Sequence, residues 1–381
     1  MDSLKILTYL PQHIKSYGIG YAATSLAISM NSSNIESKIF SLRSDLIHHS
    51  DKIKHAFDSE FFYKLYLKFL GYKYLSTKTE NIFKKLLPHY DMVYLWPACS
   101  VESYRYAKSL GKTIVMESIN CHQVAARNIL NNEAIGLGLS DIHLITDDSI
   151  QDENLKVSIS DYIFCPSPNV TKSMLDNGID AQKLIETSYG LGEHQRHYPE
   201  KNNLRTDELN GLFVGSGIIR KGIHLLLEYW RDAHLNGKLV IIGTIDPAIE
   251  HIVRPYRDDP QFEFINFTNN IDQFYKKADV FLLPSLEEGS PLVTYLAIGA
   301  GLPCIVSPMG GEGVIRHGIE GYILEPHDKM AWISTLLSLA QQPSKRRELS
   351  LAAYERSEYF LWHNVGKRRT DALMTRIGEK Q

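Results

Sequence analysis

Short apolar runs alternate with helix-patterned stretches through both halves of the chain, and this alternation constrains the fold more than any other feature. Strands buried on both faces read as continuous Val, Ile and Leu runs. Such runs separated by helical segments mark parallel βα units rather than a sandwich. In the first half they are Lys5 to Tyr9, Ser37 to Ser41, Met92 to Leu95, Thr113 to Met116, Tyr162 to Cys165 and Leu184 to Thr187. The second half repeats the pattern with Gly211 to Val214, Lys238 to Ile242, Phe262 to Ile265, Val280 to Leu283, Cys304 to Ser307 and Gly321 to Leu324. A chain of 381 residues exceeds the roughly 250–300 at which a single core stops growing. The pattern therefore predicts an α/β protein of two doubly wound, Rossmann-like domains facing a central cleft. The expected boundaries are 1–197 for the first domain, 204–355 for the second, and 356–381 for a helical tail packing back on the first. The polar, proline-punctuated stretch Tyr198–Asn203 is the expected linker.

Composition excludes several functions. Forty-one basic against 44 acidic side chains leave a net charge of −3, which gives no footprint for nucleic acid. Cys99, Cys121, Cys165 and Cys304 lie far apart without metal-ligand spacing, so neither a disulfide framework nor a zinc site is expected, and a reducing cytoplasm fits them. The apolar stretch at Leu4–Leu10 is too short and interrupted for a signal peptide and reads as a first strand. The uncharged segment Gly289–Gly311 is broken by Pro291, Gly299, Gly301, Pro303 and Pro308, and reads as a helix followed by a short strand rather than a membrane span.

In open parallel sheets, ligands bind beyond the carboxyl ends of the strands, so the loops there carry the chemistry. Gly215-Ser216-Gly217-Ile218-Ile219-Arg220-Lys221-Gly222 follows one strand and precedes the helical stretch Ile223 to Trp230. Glycines that admit close approach and the free N–H groups of a helix start suit an anion, and Arg220 and Lys221 add full charge. It lacks the Gly-Lys-Ser/Thr ending of a P-loop and the third glycine of the dinucleotide fingerprint, and a tight turn with two solvated cations reads equally well. The second loop, after Val280 to Leu283, carries Glu287, Glu288 and Gly289 before a helix opening near Pro291. A carboxylate there can accept hydrogen bonds from sugar hydroxyls, although by itself Glu288 reads equally as a structural or solvated loop acid.

Taken in order and spacing, these loops and the turn Ser307-Pro308-Met309-Gly310-Gly311-Glu312-Gly313 resemble the retaining GT-B glycosyltransferases of glycosyltransferase family 4 over Gly211 to Asp328, and more loosely before it. The resemblance implies that Arg220 and Lys221 neutralise the donor diphosphate and that Glu288, the first glutamate of an E-x7-E motif, contacts the donor sugar, without a metal or other cofactor. With His122 they make up the expected catalytic set. Gly215, Ser216 and Gly217, then Glu287, Gly289, Ser290, Pro291 and Leu292, are the expected donor-binding positions. The second motif glutamate, which in the family holds the nucleotide ribose, is Leu296 here. A leucine accepts no hydrogen bond, so Glu287 or Glu312 is left as a substitute.

In the first domain, Gly18 and Gly20 of Tyr17-Gly18-Ile19-Gly20 match the family loop that approaches the phosphates from across the cleft, although an ordinary turn reads the same. Glu117-Ser118-Ile119-Asn120-Cys121-His122-Gln123 looks like the histidine-bearing loop of related enzymes, although a lone histidine reads as well as a hydrogen-bonded structural residue. The stretch Phe61–Tyr74 is aromatic and basic, and from Phe61 to Tyr90 six lysines face one acid, Glu80, a pattern that suits anionic lipid as well as core packing with a solvated face. The expected function is transfer of a hexose-type residue from a nucleotide-sugar to a saccharide or lipid-linked saccharide, in bacterial surface polysaccharide (lipopolysaccharide or capsule) synthesis, in the cytoplasm or peripherally on the inner membrane face. Two alternatives stand beside it. One is a catalytically silent scaffold, motivated by Leu296, and the other is a GT-B-fold nucleotide-sugar epimerase.

Overall fold

The computed structural model describes residues 3–46, 51–140, 142–198 and 208–379, so Pro199–Asn203 of the expected linker lies outside the described residues. In the first domain the strands are β1 (Leu4–Ile14), β2 (Ile35–Ser44), β3 (Ile53–His55), β4 (Met92–Leu95), β5 (Thr113–Glu117), β6 (Tyr162–Cys165) and β7 (Leu184–Glu186). In the second they are β8 (Gly211–Val214), β9 (Leu239–Ile242), β10 (Phe262–Ile265), β11 (Val280–Leu283), β12 (Cys304–Val306) and β13 (Gly321–Ile323). They form a seven-stranded sheet ordered β3-β2-β1-β4-β5-β6-β7 and a six-stranded sheet ordered β10-β9-β8-β11-β12-β13. Every pairing is parallel. Strand order reverses between β1 and β4 in one sheet and between β8 and β11 in the other, and those reversals are where such sheets place ligands.

The central strands are short because both faces are covered: every residue of β4, β6 and β11 is buried. β1 and β2 run further than their apolar cores suggest. Their register shifts between Leu10 and His13, so Pro11, which has no N–H for the ladder, lies inside the irregularity. The strand β3, three residues at the sheet edge, carries too short a pattern to read. Gly289–Gly311 divides into the helix Leu292–Gly299 and β12, and among the described residues no helix is long and apolar enough to cross a membrane.

After the helix Pro343–Tyr359 the chain crosses to the first domain. Leu191 N–H donates to Phe360 O at 3.0 Å and Trp362 N–H to Leu191 O at 3.1 Å. The last helix, Trp362–Gly378, lies against the helix Gly18–Ser29, where a Cβ on Gly366 would stand 2.4 Å from Ser29 backbone. Further along the cleft, Glu133 of the first domain bonds His224 at 2.7 Å and pairs with His327 at 3.1 Å, both from the second.

Candidate active site in the cleft

The loops after β8 and β11 are joined by backbone before any side chain acts, because Leu286 N–H donates to Arg220 O at 2.8 Å. Gly222, at φ +68°, closes the basic turn. A Cβ there would lie 2.0 Å from Pro284 O, so the position combines a left-handed backbone with close approach. This clamp aims the two cations at two carboxylates. Lys221 Nζ lies 2.5 Å from Glu288 Oε1, and Arg220 reaches Glu287 at 3.1 Å and Glu288 at 3.5 Å. Neither is a solvated surface cation. Burial alone lowers the Arg220 pKa, but the charges of Glu288 and Glu287 overcome it and hold the guanidinium above its ordinary value. Burial pushes the Glu287 carboxyl up, and Arg220 pulls against that rise.

Glu287 also reaches across the cleft, where its Oε1 accepts the N–H of Cys121 at 3.2 Å. Beside it a Cβ on Gly289 would stand 1.7 Å from Ile119 O, so the two domains touch backbone to backbone at the β11 loop and the β5 loop. Flanking this contact is a cavity of about 350 Å3, lined by Asn120, Gln123, Glu153 and Lys156 from the first domain and by Arg220 and Glu287 from the second. Glu153 is buried, which raises its carboxyl pKa, and it accepts the N–H of Gln123 at 2.7 Å. Among the described residues no three His, Cys, Asp or Glu side chains are arranged to hold a metal ion.

The remaining expected positions fall into two groups. Gly215, Ser216 and Gly217 follow β8 beside Lys221; Ser216 is exposed, and Gly217 is tied by its N–H to Thr244 O at 2.9 Å. Pro291 caps the helix Leu292–Gly299, on which Leu292 and Leu296 are half-buried four residues apart on one face. Gly18 and Gly20 form the first turn of the helix after β1. Ser290, by contrast, turns inward, where its hydroxyl meets Tyr295 Oη at 2.7 Å. His122 is the remaining member of the expected catalytic set. Its ring is buried, Nδ1 accepts the N–H of Val124 and caps the helix Gln123–Leu137, and Nε2 meets Asn154 at 3.0 Å. Its neighbours Asn120 and Gln123 line the cavity, and its Nε2 stands 3.6 Å from Glu153, which lines it too. The proposed substitutes for the missing ribose acceptor are both engaged: Glu287 as above, and Glu312 by the Asn169 amide at 2.9 Å.

Sequence reasoning did not single out Glu153, Lys156 or Asn120, nor the pair Glu117–Arg369. Position just after a strand was the available signal for Asn120. Glu153 and Lys156 sit mid-helix, where nothing in the residue types separates a cavity wall from a solvated face.

Two parallel α/β domains meeting across ligand-binding strand ends define a GT-B architecture. The family described as Glycosyl transferases group 1 matches residues 194–356, which span the second domain. An uncharacterized glycosyltransferase of Methanocaldococcus jannaschii is 28% identical over 233 residues, 56% of each chain. The UDP-Gal:alpha-D-GlcNAc-diphosphoundecaprenol alpha-1,3-galactosyltransferase of Escherichia coli is 25% identical over 193 residues, 43% of this chain and 44% of its own. The chain spans about half the length of the curated relatives it matches. Sucrose-phosphate synthase from Thermosynechococcus elongatus shares the fold with a TM-score of 0.71 at 18% identity, covering 99% of this chain and 100% of that one.

Proposed function

We propose that the protein is a metal-independent, retaining glycosyltransferase that moves a hexose-type residue from a nucleotide-sugar to a saccharide or lipid-linked saccharide acceptor, in the synthesis of a bacterial surface polysaccharide. The observation that carries this reading is the pairing of Arg220 and Lys221 with Glu287 and Glu288 at the strand-order reversal of the second sheet, beside a cavity shared with the first domain. As the bond from the anomeric carbon to the diphosphate breaks, negative charge grows on the leaving oxygens, and cations already oriented by carboxylates stabilise it without reorganisation. Glu288 would accept hydroxyls of the transferred sugar. The shared cavity would hold the acceptor, with Asn120, Gln123 and Glu153 offering polar partners to its hydroxyls. Retention and the polysaccharide role rest on the family resemblance. An acceptor of lipid-linked type is in keeping with the acceptor in the name of the Escherichia coli relative.

Incubating the protein with a panel of nucleotide-sugars, with and without lipid-linked saccharides, and reading products by mass spectrometry tests this reading. Consumption that depends on the acceptor supports transfer. Turnover without any acceptor would point to an epimerase, and none with any donor to a scaffold.

A lipid-linked acceptor calls for a membrane-facing surface, and the helix Glu60–Leu86 offers one. Phe61 and Phe69 are each 69% exposed, and Phe62, Leu70 and Tyr72 stand out beside them. Gly71, at φ +75°, kinks the helix among these residues. Aromatic rings to enter the headgroup layer and lysines to meet its charge fit an anionic leaflet. The chain should therefore sediment with phosphatidylglycerol vesicles and detach as salt rises, whereas binding indifferent to lipid charge and salt would remove this surface from the proposal.

A further inference from the structure

A second cavity, of about 430 Å3, lies where the two domains and the C-terminal helices meet, and none of the four side chains of the donor-site cluster lines it. Its walls include Thr187 and Ser188 after β7, Gly313 after β12, and Arg356, Tyr359 and Arg368 from the last two helices. Arg356 and Arg368 stack on the same ring: their guanidinium carbons stand 4.6 and 3.7 Å from the Tyr359 centroid. Neither has a carboxylate within ion-pair distance among the described residues. Arg356 makes two long bonds, to Val314 O at 3.4 Å and Gly313 O at 3.5 Å. Arg368 donates once to Tyr359 O at 2.8 Å, while its Nη2 is buried with no partner.

The acids and the other cation on these walls are already engaged or exposed. Arg369 is taken by Glu117, Asp371 pairs with Lys367 at 2.9 Å, Glu312 accepts the Asn169 amide, and Glu186 is exposed. A buried guanidinium N–H without an acceptor is costly, and two cations brought together on one ring compound that cost. Burial lowers the pKa of both arginines, and the Arg316 charge adds to the effect at Arg356. This is the reverse of the donor loops, where each cation already has its carboxylate. A planar fork of N–H donors lacking an anion matches an oxyanion, which accepts several such bonds at once.

We propose that this cavity is a second anion site, in which a phosphate-class oxyanion, free or as the head of a small phosphate ester, binds between Arg356 and Arg368. Its volume falls within the roughly 300–1,000 Å3 of small-molecule sites, so an ester fits as well as the bare ion. Bound there, the anion touches the first domain at Thr187 and Ser188, the second at Gly313, and the helices that tie them. It sits one hydrogen bond from the donor loop, because Tyr295, also on the cavity wall, bonds Ser290.

Calorimetric titration of the full chain with inorganic phosphate, and separately with glycerol phosphate, tests the site. The variant Arg220→Gln/Lys221→Gln removes competing phosphate binding at the donor loops and should still bind one equivalent. Adding Arg356→Gln, which gives up two long bonds to carbonyls and the stacking on Tyr359 and Phe360, should weaken that equivalent about tenfold or more, equal to about 1.4 kcal/mol. Adding Arg368→Gln should weaken it likewise. Tighter binding of glycerol phosphate identifies an ester as the ligand, and equal binding identifies the free ion. Absence of phosphate binding in the Arg220→Gln/Lys221→Gln variant, or binding unchanged by Arg356→Gln, overturns the proposal.

Discussion

Two clusters of carboxylates and guanidinium groups stand at strand ends of this protein, and they are built to opposite plans. At the end of β5, Glu117 is fully buried and receives Arg369 of the last helix at 2.8 and 3.2 Å, together with the Tyr94 hydroxyl. Arg369 is 1% exposed, gives further bonds to Ser188 O at 2.9 and 3.2 Å, and lies against the rings of Phe164 and Tyr189. Every donor has its acceptor, which is what a buried charge pair requires if it is to persist. Beyond β11, Glu287 and Glu288 are buried too, but their partners are not: the Arg220 and Lys221 side chains remain 27% and 12% exposed, and Arg220 and Glu287 face a cavity. The saturated cluster fixes the C-terminal helix to the first domain. The open one holds charge in place while leaving its cations access to a ligand. Residue types alone do not distinguish the two clusters, whereas the degree to which each charge is bonded and enclosed does.

The largest expected effect is on the saturated cluster. Arg369→Ala leaves Glu117 buried without a cation, a change that costs about 3–5 kcal/mol and should appear as a lowered denaturant midpoint. A midpoint within error of wild type would mean that water or a side chain moves in, and the contrast would fail. At the open cluster the loss should fall on rate instead. Lys221→Ala should cut turnover by about 10²–10³, or about 2–4 kcal/mol of transition-state stabilisation. Its denaturant midpoint should shift far less than that of Arg369→Ala, because Arg220 still stands 3.5 Å from Glu288. If Lys221→Ala unfolds the protein while sparing turnover, the two clusters have been assigned the wrong way round.

Gly289 sharpens the comparison, since it brings the open cluster against the first domain. A methyl at this position meets Ile119 O rather than a movable side chain. Gly289→Ala should therefore cost about 1–3 kcal/mol, taken up as separation of the β11 and β5 loops rather than loss of either core. Small-angle scattering should show a wider cleft, and turnover should fall while secondary structure by circular dichroism is unchanged. A compact and active variant would show that the loops slide past each other at no cost.

Much of this architecture is legible in the sequence because parallel strands covered on both faces are forced into apolar runs. Each of the twelve runs read from the sequence overlaps a strand. The exception, Ile53–His55, is a short edge strand exposed to polar substitution, and there the periodic signal vanishes. At the site, glycines and charges at strand ends single out the loops that the structure brings together, Gly215–Gly222 and Glu287–Gly289, because loop chemistry is local. What crosses the cleft is not local. Arg369 sits in the run Lys367-Arg368-Arg369, whose three members look alike, yet one pairs with Asp371, one lies on Tyr359 and one is buried on Glu117. The partners of His122 are unreadable for a related reason: Val124 and Asn154 hold its two ring nitrogens, and Asn154 comes from a helix distant in sequence.

The smallest expected effect, and the one that bears most directly on the donor, concerns Leu296. It occupies the position of the second motif glutamate on the helix Leu292–Gly299, half-buried, with Leu292 one turn earlier on the same face. A ribose hydroxyl buried against this face without a partner would cost roughly 1–3 kcal/mol, so the donor should bind weakly. Of the two carboxylates named as substitutes, Glu287 is held by Arg220 and Cys121, and exposed Glu312 accepts one bond, from Asn169. Leu296→Glu supplies an acceptor on a side chain long enough to keep its stem on the apolar face and its carboxylate in the cleft. The donor dissociation constant measured by calorimetry should then fall about tenfold, equivalent to about 1.4 kcal/mol. If Leu296→Glu unfolds the chain, the leucine belongs to the core and this helix does not present the ribose. If the variant folds and binds the donor no better, the ribose is held by backbone or stays in water, and the open cluster recognises the donor through its diphosphate and sugar alone.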